Sequence, residues 1–249
     1  MSERRINRVR HESQRRLLTV DTVVRLNPHM IRVEFTSDDL AGFTSLSFDD
    51  HIKLFFPAED DGADQMRDYT PRRFDVAAGR LTIDFAVHDA GIATAWALAA
   101  RPGEQLEIGG PRGSAIIPPD FDWYWLIGDE TALPAIGRWL EEAAAGTSVT
   151  TFVVVEDVAD RQRFRSEAQW VGVWLVRSDG NDDAALLQYA MARYNLPAGD
   201  GFIWIAAEAG VARTLRSYII DGQHHPRDWV KAGGYWIRGK ADAHDKLDD

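Results

Sequence analysis

The sequence contains no cysteine, which excludes disulfide bonds, thiolate metal ligands and cysteine nucleophiles. This absence fits a reducing compartment, and we expect a cytoplasmic protein. No apolar run approaches the roughly 20 residues that a membrane-spanning helix requires, so we expect no membrane insertion. The first 16 residues, MSERRINRVRHESQRR, are basic but contain no apolar segment, so they do not form a secretory signal.

Positive charge is scarce: 28 Lys and Arg residues face 39 Asp and Glu residues, for a net charge of −11. This balance disfavours nucleic acid as a partner, because a phosphate backbone is bound mainly by cations. It also means that an anionic substrate requires a locally basic pocket. The hydrophobic fraction of 45% and the nine tryptophans are ample for packed cores, and the length of 249 residues allows one large domain or two ordinary ones.

The first half of the sequence has the pattern of a β-barrel. Short β segments are separated by turn residues, and almost no helical pattern is found up to residue 90. We predict strands in 17–35 (interrupted at Asn27-Pro28), 51–57, 80–88 and 104–108, and a short helix at 92–100. Pro118-Pro119 marks a natural boundary, so we predict a barrel domain over 17–118. The basic arm 1–16 is expected to be frayed rather than to lie against acidic surface.

The second half alternates strands with helices. Apolar strands are predicted at 123–127, 149–155, 171–176 and 202–207, and helices at 133–145, 184–194 and 211–220. Strands that are apolar throughout indicate a parallel sheet covered on both faces. We therefore predict an α/β domain over 119–240, followed by a polar tail at 241–249.

The stretch 67–75, RDYTPRRFD, concentrates three arginines around Tyr69 and Thr70. A tyrosine ring can stack on a planar ring system, and guanidinium groups match phosphate oxygens. In extended structure Arg67 and Tyr69 share one side while Thr70 and Arg72 share the other. These residues suit a flavin with its pyrophosphate. An arginine-rich loop paired with the surplus carboxylates is an equally valid interpretation of the same residues.

Five motifs together resemble one protein family. They are R-x-Y-T-x-R at 67–72, D-F-x-x-H at 84–88, G-x-A-x-x-W at 91–96, G-D-E-T-A-L-P-A at 128–135 and G-Y-W-x-R-G at 234–239. In this order they resemble the siderophore-interacting protein family, from about Thr19 to Lys240. The resemblance implies a ferredoxin–NADP reductase-like architecture, with an N-terminal antiparallel flavin-binding β-barrel and a C-terminal parallel-sheet α/β nucleotide-binding domain. It also implies a flavin-dependent ferric-siderophore reductase that uses FAD, with iron held by the siderophore and not by the protein.

The resemblance assigns a flavin site to the barrel motifs and to the closing motif. The predicted FAD-binding residues are Arg67, Tyr69, Thr70, Arg72, Asp84, Phe85, Val87, His88, Gly91, Ala93, Thr94, Trp96 and Trp236. Small residues at the start of a helix leave backbone N–H groups facing a phosphate. His88 and Trp96 also fit a purely structural role, since tryptophan more often fills a core than binds a ligand.

A nicotinamide dinucleotide site is implied at two strand ends, although the sequence has no G-x-G-x-x-G fingerprint. In the first, Gly128 allows close backbone approach, Asp129 or Thr131 can cap the next helix, and a pyrophosphate can rest on that helix N-terminus. The second, at 206–210, repeats this logic. Without the resemblance, each is only a capped helix. The predicted NAD(P)H-binding residues are Gly128, Asp129, Glu130, Thr131, Ala132, Ala207, Glu208, Ala209 and Gly210.

A ferric siderophore is usually anionic, so the substrate site needs cations. The resemblance points to Lys53, in the strand H-x-K-L-F-F-P, and to Arg238 and Lys240 near the C-terminal end. Each of these side chains also fits a solvated surface charge.

The electron donor remains open between NADPH, NADH and a ferredoxin. Arg161 and Arg163 suit a 2′-phosphate, whereas Glu156 and Asp157 favour NADH. The resemblance implies that family members which take electrons from a ferredoxin carry a longer C-terminal helix. Because this sequence ends soon after the closing motif, we expect a pyridine nucleotide as the donor, with NADPH preferred. The alternatives to a siderophore reductase are a general flavin or ferric-chelate reductase and a non-catalytic siderophore carrier. We expect a monomer.

Overall fold

The computed structural model describes residues 4–57, 64–88, 91–177, 182–239 and 245–246. The chain divides into two compact units, one formed by Ile6–Ile117 and the other by Pro118–Asp249 together with Met1–Arg5. Among the helices of the described ranges, none combines the length and the apolar composition needed to span a bilayer.

The unit Ile6–Ile117 is built on an antiparallel sheet. Its strands are β1 (Asn7–Arg10), β2 (Arg15–Asn27), β3 (Met30–Thr36), β4 (Ile52–Phe56), β5 (Gln65–Tyr69), β6 (Arg73–Asp75), β7 (Arg80–Ala86), β8 (Gln105–Gly109) and β9 (Gly113–Ile116). Seven of them form one half-barrel sheet in the order β5-β4-β8-β2-β3-β7-β6, and β1 pairs separately with β9. A helix, α1 (Ile92–Ala99), packs against the same core.

Alternation along the strands explains the core of this unit. In β4, Ile52, Leu54 and Phe56 are buried, while Lys53 and Phe55 between them are only partly covered. Because successive side chains of a strand point to opposite faces, the apolar residues meet those of β2, β3, β7 and β8 in one cluster. The predicted antiparallel flavin-domain architecture is confirmed at this level.

The second unit is a doubly wound α/β domain, also as predicted. Its strands are β10 (Trp123–Gly128), β11 (Ser148–Val155), β12 (Gln169–Val176), β13 (Gly201–Glu208), β14 (Val230–Trp236) and β15 (Asp245–Lys246), and its helices are α2 (Leu133–Glu142), α3 (Asp183–Ala192) and α4 (Ala209–Ser217). The order β12-β11-β10-β13-β14 is parallel, and β15 pairs antiparallel with β14. The chain leaves β10 on one side and returns to it on the other through β13, and such a switch point is where ligands bind in open α/β sheets.

The expectation of a frayed basic arm is wrong for the described residues 4–16. β1 pairs with β9 over four residues, and Arg15 and Arg16 already belong to β2. Arg4 forms ion pairs with Asp120, at 3.1 Å, and with Asp200. Arg4 therefore follows the alternative interpretation, in which the arm lies against acidic surface. Lys240 and most of the predicted tail lie outside the described residues.

Candidate functional site

Tyr69 ends β5 with its ring against the core. Its ring centroid lies 4.6 Å from that of Phe85, and β5 pairs with β4 so that Tyr69 is opposite Ile52. The side chain is half-buried, and burial raises the pKa of the Tyr69 hydroxyl well above its usual range. Arg67, two residues earlier, donates to the carbonyl oxygen of Met66 at 2.7 Å. An aromatic face and a guanidinium thus lie together at this strand end, as a flavin site requires.

Arg72 and Asp84 are held by each other and by Arg32. The guanidinium of Arg32 donates two hydrogen bonds of 2.7 Å to the two carboxylate oxygens of Asp84. Arg72 Nε lies 3.7 Å from Asp84 Oδ2, and both side chains are buried. Arg72 therefore fits the second interpretation of the stretch 67–75, in which its arginines pair with carboxylates. Its contact with a flavin phosphate stays a prediction, as does that of the buried Thr70.

The start of α1 fits a phosphate group. Gly91 is its N-cap, at a φ of 138°, and among the described residues no side chain caps the helix. A Cβ added at Gly91 would meet no described atom within 4 Å, so the described residues leave space at this position. Thr94 is buried in that turn, and its hydroxyl accepts a hydrogen bond of 3.4 Å from the backbone N–H of His88. Uncapped N–H groups beside open space are what an anionic group binds, so these residues fit the pyrophosphate of FAD.

Other predicted flavin residues of this region pack in the core. The ring of Trp96 lies 6.1 Å from Phe35, nearly parallel to it, and 5.5 Å from Phe85. Phe85 is fully buried, Ala93 is buried and Val87 packs against the same cluster. Their packing explains these side chains without a ligand, and a flavin contact for them stays a prediction. His88 is exposed at the end of the motif.

Asp129 joins three strand ends at the carboxyl edge of the parallel sheet. Its Oδ1 accepts from the backbone N–H of Thr131 at 2.9 Å and also from the Thr131 hydroxyl, so Asp129 is the residue that caps the short 3-10 helix at Glu130–Ala132. Its Oδ2 accepts from the backbone N–H of Glu208 at 3.0 Å and from the indole Nε1 of Trp236 at 2.9 Å. Trp236, predicted beside the flavin, is thus bonded within the unit that contains the nucleotide motifs.

Asp129 is buried, and this burial has an electrostatic consequence. The pKa of Asp129 is raised to about 6. Burial is the main cause, and the neighbouring carboxylate of Glu130 acts in the same direction. The donors Thr131 and Trp236 oppose that shift, since they stabilise the charged form.

Gly128 is required for the packing between strands, and its contact with a ligand stays a prediction. A Cβ at this position would lie 2.3 Å from the carbonyl oxygen of Ala206 and 2.5 Å from the Cβ of Ala132. Any side chain would push β10 away from β13, since these distances are far below van der Waals contact. The close approach predicted for Gly128 therefore occurs, but toward the protein itself.

The N-terminus of α4 is occupied by a side chain of the chain itself. Oε2 of Glu208 accepts from the N–H groups of Gly210, at 2.6 Å, and Val211, at 3.1 Å. Oε1 accepts from the backbone N–H of Arg238 at 3.2 Å. A pyrophosphate resting on these N–H groups, as the strand-end pattern suggests, would have to displace a carboxylate. Ala207 and Ala209 are buried beside it.

Arg177 is a site residue that sequence reasoning missed. It follows β12, and its guanidinium contacts the carboxylates of Glu130 at 3.1 Å, Glu156 at 2.8 Å and Asp183 at 2.8 Å. These three charges raise the pKa of Arg177 against the opposing effect of burial. A lone arginine after an apolar strand was the only indication in the sequence, because Glu130 and Glu156 are 47 and 21 residues away along the chain and only Asp183 is near.

The predicted substrate cations lie in different units. Lys53 Nζ forms a salt bridge of 2.7 Å with Asp68, its cross-strand neighbour in β5. Arg238 is exposed after β14, and Lys240 lies outside the described residues. A substrate at Lys53 must therefore compete with Asp68.

Comparison with known proteins defines the class first. A ferredoxin NADP⁺ reductase from Neisseria gonorrhoeae is 11% identical over 84% of this chain and 92% of its own, with a TM-score of 0.59, and shares the fold alone. Residues 19–65 and 59–115 match the model of the siderophore-interacting FAD-binding domain. The fold and this domain define an FAD-binding protein with a ferredoxin reductase-like fold, which confirms the predicted architecture and flavin cofactor.

The family follows from the full-length matches. Residues 121–239 match the model of the siderophore-interacting protein. The NADPH-dependent ferric-chelate reductase of Escherichia coli K12 is 35% identical over 92% of this chain and 95% of its own. Ferric vibriobactin reductase ViuB of Vibrio cholerae is 31% identical over 86% of each. A siderophore utilization protein from T. fusca is 37% identical, with a TM-score of 0.86 over 97% of this chain and 98% of its own. This chain belongs to the siderophore-interacting protein family.

Proposed function

We propose that the protein is an NAD(P)H-dependent ferric-siderophore reductase that releases iron as Fe(II) from an internalised ferric chelate. The observation that carries this proposal is the full-length similarity to a protein named as a ferric-chelate reductase and to one named as a ferric vibriobactin reductase. This chain also matches an FAD-binding domain model. The reaction would take place in the cytoplasm, where reduced nicotinamide cofactors are made.

Bound FAD would supply the link between a two-electron donor, the nicotinamide, and a one-electron acceptor, ferric iron. The chain's own residues would bind this cofactor and orient it. Tyr69 offers an aromatic face, Arg67 offers guanidinium donors to phosphate, and the uncapped first turn of α1 offers backbone N–H groups. No side chain has to act as an acid or base on the iron. One NADPH reduces two ferric ions, with release of NADP⁺ and one proton, and Fe(II) is held far more weakly by the hard oxygen donors of the chelate.

NADPH is the donor that the residues after β11 support better. The carboxylate of Glu156 is engaged by Arg177, and Asp157 caps the 3-10 helix Val158–Asp160 by accepting from the N–H of Ala159 at 2.7 Å. Neither acidic residue is therefore well placed to select the 2′-hydroxyl of NADH. Arg161 and Arg163 are exposed just beyond, where a guanidinium accommodates a 2′-phosphate in folds of this kind.

Lys53 is the cation that we assign to the substrate within the barrel unit. Its ammonium group is partly exposed and lies on the outer face of β4, bound to Asp68. An anionic chelate that approaches this face would replace Asp68 as the partner of Lys53. Arg238 and Lys240 stay predictions for the same role in the other unit.

A general ferric-chelate reductase is the second candidate, and it is favoured by the broader name of the Escherichia coli relative. The two functions differ in their acceptors. A siderophore reductase should show a much higher kcat/KM with a ferric siderophore than with ferric citrate, whereas a general reductase should treat them alike. A non-catalytic carrier, the third alternative, predicts colourless protein that binds ferric siderophore tightly.

The test is a visible spectrum of the purified protein, recorded first alone, then after anaerobic NADPH, then after a ferric siderophore with a ferrous-specific chelator. We expect a flavin band that bleaches with NADPH and returns as the ferrous complex forms. A flavin band that does not bleach with NADPH would mean that the electron donor is NADH or a ferredoxin. Protein that takes up no flavin even with added FAD would contradict a reductase and favour a carrier.

A further inference from the structure

A polar cavity in the barrel unit is lined by none of the residues assigned above to flavin, nucleotide or iron chelate. Its volume is about 300 Å³. It is walled by the β1–β2 connection, the start of β2, the loop after Leu40 and the bend after β8. The lining residues are Arg10, His11, Glu12, Gln14, Arg16, Gly42, Thr44, Gly110 and Pro111.

The decisive residue of this cavity is Arg16, whose side chain is buried at 5% exposure. Its guanidinium donates to four neutral oxygens: the carbonyls of Asp39 (3.0 Å), Gln14 (3.4 Å) and Gly110 (3.4 Å), and the amide oxygen of Gln14 (3.2 Å). Within the described part of the chain, no carboxylate forms an ion pair with it. The guanidinium carbon Cζ of Arg16 lies over the ring of Phe43, 5.4 Å from the ring centroid.

A buried cation without an anionic partner is costly, since removing a charge from water costs several kcal/mol unless a counter-charge compensates. In Arg16 this cost is visible as a pKa lowered by burial, which the more distant Asp39 only partly offsets. The N–H groups of the guanidinium donate to neutral carbonyl and amide oxygens rather than to a charged partner. An oxyanion in the adjoining cavity would supply the missing charge and would make charge-assisted hydrogen bonds.

The walls of the cavity are fixed before any ligand arrives. The N–H of Gly110 donates to the carbonyl of Gln14 at 3.2 Å, and that of His11 to the carbonyl of Arg112 at 3.0 Å. The ring of His11 is fixed by a bond of 2.8 Å between its Nε2 and Ser114 Oγ, whose own hydroxyl donates to Asp50 at 2.6 Å. Ser114 therefore has its proton committed to Asp50, so this trio is a scaffold and not a nucleophile with its base.

We propose that this cavity is a binding site for a small oxyanion, a phosphate or a compact carboxylate, with Arg16 as its buried anchor. Arg10 lines the same space and adds positive charge, while Glu12 is the one acidic lining residue. Local positive charge of this kind runs against the net charge of −11, so the composition of the surface as a whole does not account for it. A Cβ at Gly42, whose φ is 74°, would meet nothing within 4 Å, which leaves the entrance open beside Thr44.

The experiment measures the melting temperature of FAD-loaded protein against increasing phosphate, with chloride as the reference at equal ionic strength and pH 7. Citrate in a parallel series distinguishes a carboxylate ligand from a phosphate ligand. The variants are Arg16→Met, Arg10→Gln and Thr44→Glu, the last of which places a carboxylate at the entrance of the cavity. Arg101→Gln is the matched control. Arg101, like Arg10, is exposed, but it lies before the start of β8, whereas the cavity lies at the end of β8.

We expect a saturable rise in melting temperature with phosphate or citrate, but not with chloride, in the wild type and in Arg101→Gln. Arg10→Gln should weaken apparent binding about threefold, as befits an exposed charge. Thr44→Glu should abolish the rise while flavin content and the circular dichroism spectrum are unchanged, and it keeps the test valid if Arg16→Met fails to fold. A rise of equal size in Thr44→Glu, Arg10→Gln and the wild type would place the anion elsewhere, for example at the nucleotide site, and would overturn the proposal. So would the absence of any rise in the wild type.

Discussion

The indole Nε1 of Trp236 donates a hydrogen bond to Oδ2 of Asp129, 107 positions away in the chain. Asp129 follows β10 and Trp236 ends β14, and the strand between them, β13, ends at Glu208, whose N–H donates to the same oxygen. One carboxylate thus ties together the ends of three adjacent parallel strands. Because ligands of open α/β sheets bind beyond this edge, the bond orders the surface on which a nucleotide would rest.

Replacement of Asp129 by asparagine should destabilise the protein. The carboxylate accepts only, whereas an amide nitrogen would face the donors Thr131 or Glu208 and Trp236. A buried donor left without an acceptor costs about 1–3 kcal/mol, and we expect a loss of that size in the free energy of unfolding measured with urea. Asp221→Asn, an exposed position, is the control and should change stability by less than about 0.5 kcal/mol. Equal stability of the two variants would contradict the bridging role.

Asp129 should also leave a mark on the pH dependence of stability. Its pKa is raised to about 6 from 3.8, so the folded state binds a proton more tightly than the unfolded chain. The stabilisation from this group is therefore complete below about pH 4 and is lost as the pH rises through about 6. At about 1.4 kcal/mol per pKa unit, the decline amounts to about 2–3 kcal/mol. Urea unfolding at pH 4–7 should show this decline in the wild type relative to Asp129→Asn, and parallel curves for the two proteins would refute it.

The strand-end arrangement was only partly predictable from the sequence. Apolar runs indicated β10 and β13, and the residue types indicated a cap at Asp129. The sequence could not show that a single carboxylate would also accept from Glu208 and Trp236, because those contacts depend on strand order. For the same reason Gly128 suggested a ligand, whereas its missing side chain accommodates the carbonyl of Ala206.

Long-range pairing explains the other differences. The basic arm was expected to fray as a chain terminus, yet β1 pairs with β9, about a hundred residues away. Arg177 had no recognisable motif, since Glu130 and Glu156 meet it only when β10, β11 and β12 are side by side. Periodicity predicts elements well, but it does not predict which charges the folded sheet brings together.

Arg67→Ala should lower the affinity for FAD. Loss of a charge-assisted bond to phosphate costs about 1.5–3 kcal/mol, which corresponds to about a 10- to 100-fold weaker binding. The measurement is the flavin-to-protein absorbance ratio after gel filtration, followed by titration of the apoprotein with FAD. Arg73→Ala removes a neighbouring exposed arginine and should retain flavin. Full retention by Arg67→Ala would remove Arg67 from the cofactor site.

The salt bridge between Lys53 and Asp68 gives opposite predictions for its two partners. Lys53→Ala should raise the KM for an anionic ferric siderophore about threefold or more, because a substrate cation is lost. Asp68→Asn should lower the same KM, because it removes the carboxylate that competes with the substrate for Lys53. Flavin content and the KM for NADPH serve as internal controls and should stay constant. If both variants raise the KM alike, the pair acts only in the structure of β4 and β5.

The choice of nucleotide should depend on Arg161 and Arg163. The double variant Arg161→Gln/Arg163→Gln removes two exposed guanidinium groups beyond β11 and should raise the KM for NADPH about tenfold or more, since contacts to a charged phosphate contribute about 1.5–3 kcal/mol. The KM for NADH, which has no 2′-phosphate, should stay the same. Arg193→Gln, at an exposed position after α3, is the control for loss of positive charge in this unit. Steady-state kinetics with both nucleotides measure the ratio of the two kcat/KM values, and an unchanged ratio in the double variant would mean that the 2′-phosphate is not bound there.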